Sequence, residues 1–135
     1  VVTWYLLDSS VAVRVILGHS PEAAAWIDEV NADPDRQLIA SRLLKTEITR
    51  VLRREGLPVS RRDDLLDYVQ MIPVNDAVLA EAEAIVPHIK TLDAIHLASI
   101  VRTGLDATVV THDETMGHVA EILGYPVLDP VVTAS

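Results

Sequence analysis

Four of the twenty Asp and Glu residues in this 135-residue chain stand apart because of their positions relative to apolar segments. Asp8 and Asp113 each follow an apolar run rich in strand formers and precede a helical pattern, which places both at strand carboxyl ends. Glu47 takes the i+3 position of a helical stripe made by Leu44, Ile48, Val51 and Leu52, and so turns inward with it. Asp93 lies in TLDAIHLASIV, a helix so apolar around its circumference that its first two turns have no clear solvent face. A carboxylate on a solvated face needs no account, whereas one on a core face needs a partner.

Several ionised carboxylates gathered at low dielectric cost roughly several kcal/mol per ion unless a cation compensates or protons are taken up. Lys and Arg are scarce around these four positions, so a bound divalent cation is the economical counter-charge. Ligation by oxygen alone favours Mg²⁺ or Mn²⁺ over softer metals. Such an ion holds a phosphate, acidifies water and stabilises a leaving oxygen, which are the needs of phosphodiester hydrolysis. On spacing alone, ion pairs, helix caps and ordinary strand-end acids stay open as alternatives.

The elements that must position these acids alternate in type. Thr3 to Leu7 predicts a strand, Ser10 to Leu17 a helix stopped by Gly18, and Ser20-Pro21 the cap and first turn of a helix through Val30. After a turn over Asn31 to Arg36 come a short strand, Gln37 to Ala40, and a long helix opening at Ser41 and ended by Gly56 and Pro58. Ser60 and Asp63 make a capping-box-like start for a helix through Val69, and Met71 to Val74 predicts a strand that Pro73 confines to an edge or bend. Helices from Asp76 to Ile85 and from Thr91 to Thr103, a buried strand from Ala107 to Thr111 and a helix from Glu114 to Leu123 complete the order, with Pro126 to Leu128 beyond. Short apolar strands alternating with helices predict an α/β three-layer sandwich, a central parallel sheet flanked by helices. In open parallel sheets the carboxyl edge of the strands is where ligands bind, and that is where Asp8 and Asp113 fall.

Composition bounds the remaining possibilities. Residues 1–135 read as one domain with 50% hydrophobic and 23% charged residues, which is globular rather than disordered composition. The absence of cysteine excludes disulfides, zinc-thiolate sites and thiol nucleophiles and suits a reducing cytoplasm. The Val1 to Leu7 run has no basic flank and is too short for a signal peptide, and no apolar stretch approaches the ~20 residues of a membrane span. A net charge of −9 argues against a broad nucleic-acid footprint. Yet Arg36, Arg42, Lys45, Arg50, Arg53, Arg54, Arg61 and Arg62 fall in one stretch, so a local basic face is expected, either solvated or guiding RNA through Arg50, Arg53, Arg54, Arg61 and Arg62.

The segments LLDSSVAV (Leu6 to Val13), SRLLKTEITRVLRR (Ser41 to Arg54), KTLDAIHLAS (Lys90 to Ser99) and VVTHDETM (Val109 to Met116) resemble, in order and spacing, the four blocks of PIN-domain ribonucleases. The resemblance is closest to the VapC-like toxins of bacterial toxin–antitoxin pairs and spans nearly the whole chain. It implies a parallel-sheet fold, Mg²⁺ or Mn²⁺ held by Asp8, Glu47, Asp93 and Asp113, and endonucleolytic cleavage of RNA. It also implies a homodimer and a small cognate antitoxin that blocks the site. By the same resemblance Ser9 and Thr111 match hydroxyl residues that orient the carboxylates by hydrogen bonding. Met116 stands where larger apolar residues are common and Lys90 where arginine is frequent, and neither departure touches the acids.

His96, among apolar neighbours, reads as a packed, hydrogen-bonded core histidine rather than a general base or ligand. His112 lies beside Asp113, but strand alternation turns its side chain away from its neighbours'. His19, His88 and His118 have no metal-ligand spacing, Trp4 and Trp26 read as core or dimer contacts, and Glu114 as compensation of a helix dipole. Two rival classes remain. A Mg²⁺-dependent phosphotransfer domain of receiver or dehalogenase type also places strand-end aspartates on a parallel sheet. A receiver, however, needs adjacent acids near its first strand, and a dehalogenase needs a second Asp where Ser10 stands. The other rival is a catalytically idle PIN-like binding module, against which the presence of all four acids argues.

Overall fold

The computed structural model describes residues 1–132. Its elements run β1 (Thr3–Leu7), α1 (Ser9–Ile16), α2 (Pro21–Ala32), β2 (Arg36–Ser41), α3 (Leu43–Arg54), a 3-10 turn (Val59–Arg62) leading into α4 (Asp63–Leu66), β3 (Val69–Ile72), α5 (Asp76–Glu83), α6 (Thr91–Thr103), β4 (Ala107–Val110), α7 (Glu114–Ile122) and β5 (Val127–Leu128). Local chemistry sets several of the boundaries. Ser20 accepts a hydrogen bond from Ala23 N at 3.1 Å with Pro21 in the first turn, Asn75 caps α5 through Val78 N, and Gly104 ends α6 in the left-handed region at φ 69°.

All strand pairings are parallel, in the order β3-β2-β1-β4-β5. Successive strand residues serve opposite faces. Leu7, Leu38, Ala40 and Val110 join a core roofed by α1 to α4, with Val11, Ile27, Leu44, Ile48, Leu52 and Leu65. Leu6, Ile39 and Val109 join a second core with Leu97 and Ile100 of α6 and Met116 and Val119 of α7. Helices therefore cover both faces of the sheet, giving a three-layer α/β sandwich. Each fully buried Leu or Ile contributes about 1.5–3 kcal/mol relative to exposure, so the stripe Leu44, Ile48 and Leu52 is what fixes the rotation of α3.

Three elements differ from the sequence expectation. The segment expected as one helix from Ser60 through Val69 is a 3-10 turn and the short α4, and the following strand runs Val69–Ile72 instead of Met71 to Val74. Pairing explains the shift: Leu38 faces Val69 and Ser41 faces Ile72 across the ladder, so the strand ends before Pro73, which has no N–H to offer. The helix expected from Ser41 begins at Leu43, because Ser41 is still paired in β2 and its Oγ accepts from Leu43 N at 3.1 Å.

The topology dictates where a ligand can bind. From the central β1 the chain moves outward to β2 and β3, then returns to add β4 on the other side of β1. The carboxyl ends of β1 and β4 flank the point where strand order reverses, the crevice that open α/β sheets use for ligands.

Candidate active site

Asp8 follows β1 at that crevice and is 1% exposed. It stands at the N-cap of α1, yet its carboxylate makes no capping bond. Instead Oδ2 accepts from Ser10 Oγ at 2.7 Å and from Thr111 Oγ1 at 2.8 Å, while Oδ1 is buried without a partner. A buried carboxylate oxygen with no donor is costly, and the usual resolutions are a proton or a cation. Thr111 also accepts from Asp113 N at 3.1 Å, so one hydroxyl joins the ends of β1 and β4. Gly117 lets α7 lie close to this junction, since a Cβ there would stand 3.3 Å from Val127 Cγ1 and 3.7 Å from Thr111 Cγ2.

Asp113 caps α7, with Oδ1 accepting from Met116 N at 3.0 Å. Asp93 lies in the first turn of α6, half-buried. Burial, then the charges of Asp8 and Asp113, and last that of Glu47, push its pKa up to about 6, against an opposing pull from His96. That pattern of causes means that Asp8, Glu47 and Asp113 all act electrostatically on one carboxyl group. Glu47 reaches the group from α3, and its Oε1 meets Nε2 of the fully buried His96 at 2.5 Å. Burial alone would lower the pKa of His96. The hydrogen bond and charge of Glu47, with Asp8 and Asp93 behind them, instead hold it above the usual imidazole value. The Glu47–His96 contact is thus part of the acid group, and Nδ1 of the same ring is buried without a partner among the described residues.

Among the described residues none of the four acids pairs with Lys or Arg, and no three His, Asp or Glu side chains already close on one point. Mutual repulsion keeps uncompensated carboxylates apart. The donor chemistry fits a hard divalent ion: oxygen ligands, uncompensated negative charge and the orphaned Asp8 Oδ1 at the centre.

Other residues fall as follows. The hydroxyl on Asp8 besides Thr111 is that of Ser10, not Ser9. Helical side chains lean toward the N-terminus, so the residue one position further into α1 reaches back over Asp8. Arg14 returns along α1 to donate to the Ser10 carbonyl at 2.6 Å, a basic neighbour of this network that lies outside the sequence cluster. The cluster itself divides in space. Arg50 and Arg54 are exposed three and seven positions after Glu47, on its side of α3, the latter roughly 10 Å along the axis at 1.5 Å per residue. Arg53 is exposed on a different face, Arg62 donates to Thr49 Oγ1 at 2.8 Å, and Arg61 lines a groove with Val15, Ile27, Leu65 and Tyr68. Sequence reasoning set His96 aside, although its i+3 spacing from Asp93 within an apolar helix was the available signal. Trp4 and Trp26 both pack against the cores, Trp26 edge-on to Tyr5 at 5.1 Å between ring centroids.

Fold and acids together define a doubly wound α/β domain with a carboxylate-lined crevice at the switch point of its sheet. A family model described as PIN domain matches residues 5–122, and the chain belongs to that family. It is 32% identical over 127 residues to "Ribonuclease VapC46" of Mycobacterium tuberculosis (strain ATCC 25618 / H37Rv), covering 92% of this chain and 95% of that protein. Its fold is similar to that in "Crystal structure of VapBC2 from Rickettsia felis bound to a DNA fragment from their promoter", with TM-score 0.74 and 12% identity over 94% of this chain and 98% of that one. It is similar also to a chain of "Toxin-antitoxin complex from Klebsiella pneumoniae", with TM-score 0.69 and 17% identity over 93% and 97%. Among the described residues no helix is long and apolar enough to cross a membrane.

Proposed function

We propose that this chain is a single-domain, divalent-metal-dependent endoribonuclease of the cytoplasm and the toxin of a toxin–antitoxin pair. The observation that carries the reading is the buried, unpartnered Oδ1 of Asp8 within a group of four acids at the switch-point crevice. Asp8 and Asp113 are the principal holders of Mg²⁺, for which Mn²⁺ can substitute, and Glu47 and Asp93 complete the group. When bound, the ion supplies charge neutralisation at the phosphate and acidification of the attacking water.

The chain's own residues do the rest. Ser10 and Thr111 fix Oδ2 of Asp8, which leaves Oδ1 as the oxygen that would hold the ion. His96 holds Glu47 in place across the α3–α6 contact. Arg50 and Arg54 guide RNA along α3 toward the acids, whereas Arg53 stands on another face of the helix and Arg61 and Arg62 lie beyond its end. Likeness to a 32%-identical ribonuclease supports RNA as substrate, and likeness to a chain of a toxin–antitoxin complex supports an antitoxin partner, read here as a small protein that covers the site. A homodimer is supported by the apolar groove between α5 and α6, where Leu79 and Val86 stand exposed, with Leu92 exposed at the start of α6.

The test is to incubate purified protein with RNA and Mn²⁺ and to sequence the fragment ends, beside chelator, Asp8→Asn and Glu47→Gln controls. Discrete cleavage lost in all three controls supports the proposal. Cleavage that persists in excess chelator or in Asp8→Asn sinks it, and a folded protein that binds RNA without cutting it is an idle module.

A further inference from the structure

His112 projects from the turn between Thr111 and Asp113, away from the acid group and toward the segment after β5. Its Nδ1 lies 2.8 Å from Asp129 Oδ2, and Asp129 is itself held by Val131 N, which donates to Oδ1 at 3.0 Å. A carboxylate only accepts, so Nδ1 carries the hydrogen and Nε2 is left to face outward. That nitrogen has no partner among the described residues, and the side chain is 31% exposed. The ring has one nitrogen pinned and the other open.

Its location ties it to the site. The backbone N of His112 donates to Ser10 Oγ at 2.9 Å, the same hydroxyl that donates to Asp8. Ring and acids therefore ride on one piece of backbone. His112 and Asp129 line a cavity of about 290 Å³ that Asp113 borders directly, with Glu114, His118 and Glu121 around it. Three carboxylates besides Asp113 make this cavity hostile to phosphate and receptive to hydrogen-bond donors. On an RNA strand the donors other than phosphate are the ribose 2′-hydroxyl and base N–H groups.

We propose that the His112–Asp129 pair forms a nucleotide subsite beside the acid group, in which His112 Nε2 makes a hydrogen bond to a ribose hydroxyl or base edge of the RNA. Asp129 is the positioning residue that sets the ring. The inference rests on the ribonuclease reading above and adds the element that selects among nucleotides there.

The experiment uses an oligoribonucleotide with one mapped cleavage position, single 2′-deoxy substitutions on either side of it and base exchanges at the same nucleotides. Wild type, His112→Ala and Asp129→Ala are compared by kcat/KM, with thermal melting as the folding control. Wild type loses about tenfold on one of these substrate changes, the scale of one hydrogen bond. His112→Ala loses a similar factor on the unmodified RNA and nothing further on that modified one, and Asp129→Ala follows in the same direction. Sensitivity to a deoxy change assigns the ribose, and sensitivity to a base change assigns the base. If His112→Ala keeps every substrate sensitivity of the wild type, the inference is overturned. RNA affinity is read in parallel in an Asp8→Asn background, where failure of His112→Ala to change it for any substrate also overturns the inference, while absence of wild-type cleavage strikes the ribonuclease reading itself.

Discussion

Glu47 on α3 and His96 on α6, 49 residues apart in sequence, meet at 2.5 Å between Oε1 and Nε2, and the histidine is fully buried. The contact bridges the two helical layers at the edge of the sheet where the acids gather. Its loss would leave Glu47 without its hydrogen-bond partner and a void where the buried ring stood. His96→Ala is expected to cost roughly 2–4 kcal/mol in urea unfolding. His96→Gln, which retains a donor and part of the volume, should cost less. An alanine variant as stable as wild type would refute a structural role for the pair.

The pH dependence of the metal-free protein follows from two groups that bind protons more tightly when folded. Asp93 rises from 3.8 to about 6, so its favourable contribution is complete below the lower value and is lost as pH climbs through the upper one. His96 is also raised, from 6.5, so its contribution is present below that value and disappears as pH rises through the folded-state one. Both act in the same direction. In chelator, the melting temperature should rise as pH is lowered from about 8 to about 5.5. A flat profile, or one rising toward alkaline pH, would contradict the electrostatic account of the site.

Added divalent cation should reverse that trend. At pH near 7.5, Mn²⁺ or Mg²⁺ should raise the melting temperature by binding the folded state, and the gain should shrink once Asp93 is protonated below about 6. Asp8→Asn removes the central charge and should abolish the cation-induced shift while the metal-free protein stays folded. Calorimetric titration checks both points, and an undiminished shift in the variant would place the ion elsewhere.

Within the basic stretch, Arg50→Glu and Arg54→Glu should weaken RNA binding and make its salt dependence shallower, by about 0.7 in log–log slope for each single-strand phosphate that is no longer neutralised. Arg61→Glu should have little effect, since Arg61 lines the groove with Val15, Ile27, Leu65 and Tyr68. Equal effects at all three positions, measured by fluorescence anisotropy across a salt series, would mean a diffuse field in place of a path.

Most of the sandwich was legible because β1, α3, α6 and β4 each carry a clean pattern that tertiary structure had no reason to override. The edge strand β3 was not, since its limits come from pairing with Leu38 and Ser41, and such partners are invisible to local periodicity. Asp8 and Asp113 could be found from strand ends and Glu47 from helical phase, whereas Asp93 drew its case from family resemblance. His96 escaped because an apolar neighbourhood is also what a purely structural histidine has. Only the approach of α3 to α6 distinguishes the two. Ser10 was passed over for Ser9, since which hydroxyl leans over Asp8 depends on where α1 begins. The arginines made one block in sequence but separate faces in space, because α3 ends and the chain turns between Arg54 and Arg61.

Thr111 Oγ1 reaches Asp8 Oδ2 from 103 residues further along the chain, and the same hydroxyl accepts from Asp113 N. The first acid of the crevice is thus made, with Ser10 beside it, long before Thr111, the second hydroxyl that orients it. A nascent or truncated chain that lacks β4 has Asp8 but no site, and closing so long a loop comes late in folding. For a protein that cuts RNA, this order of assembly withholds activity until β4 has been made and has paired with β1.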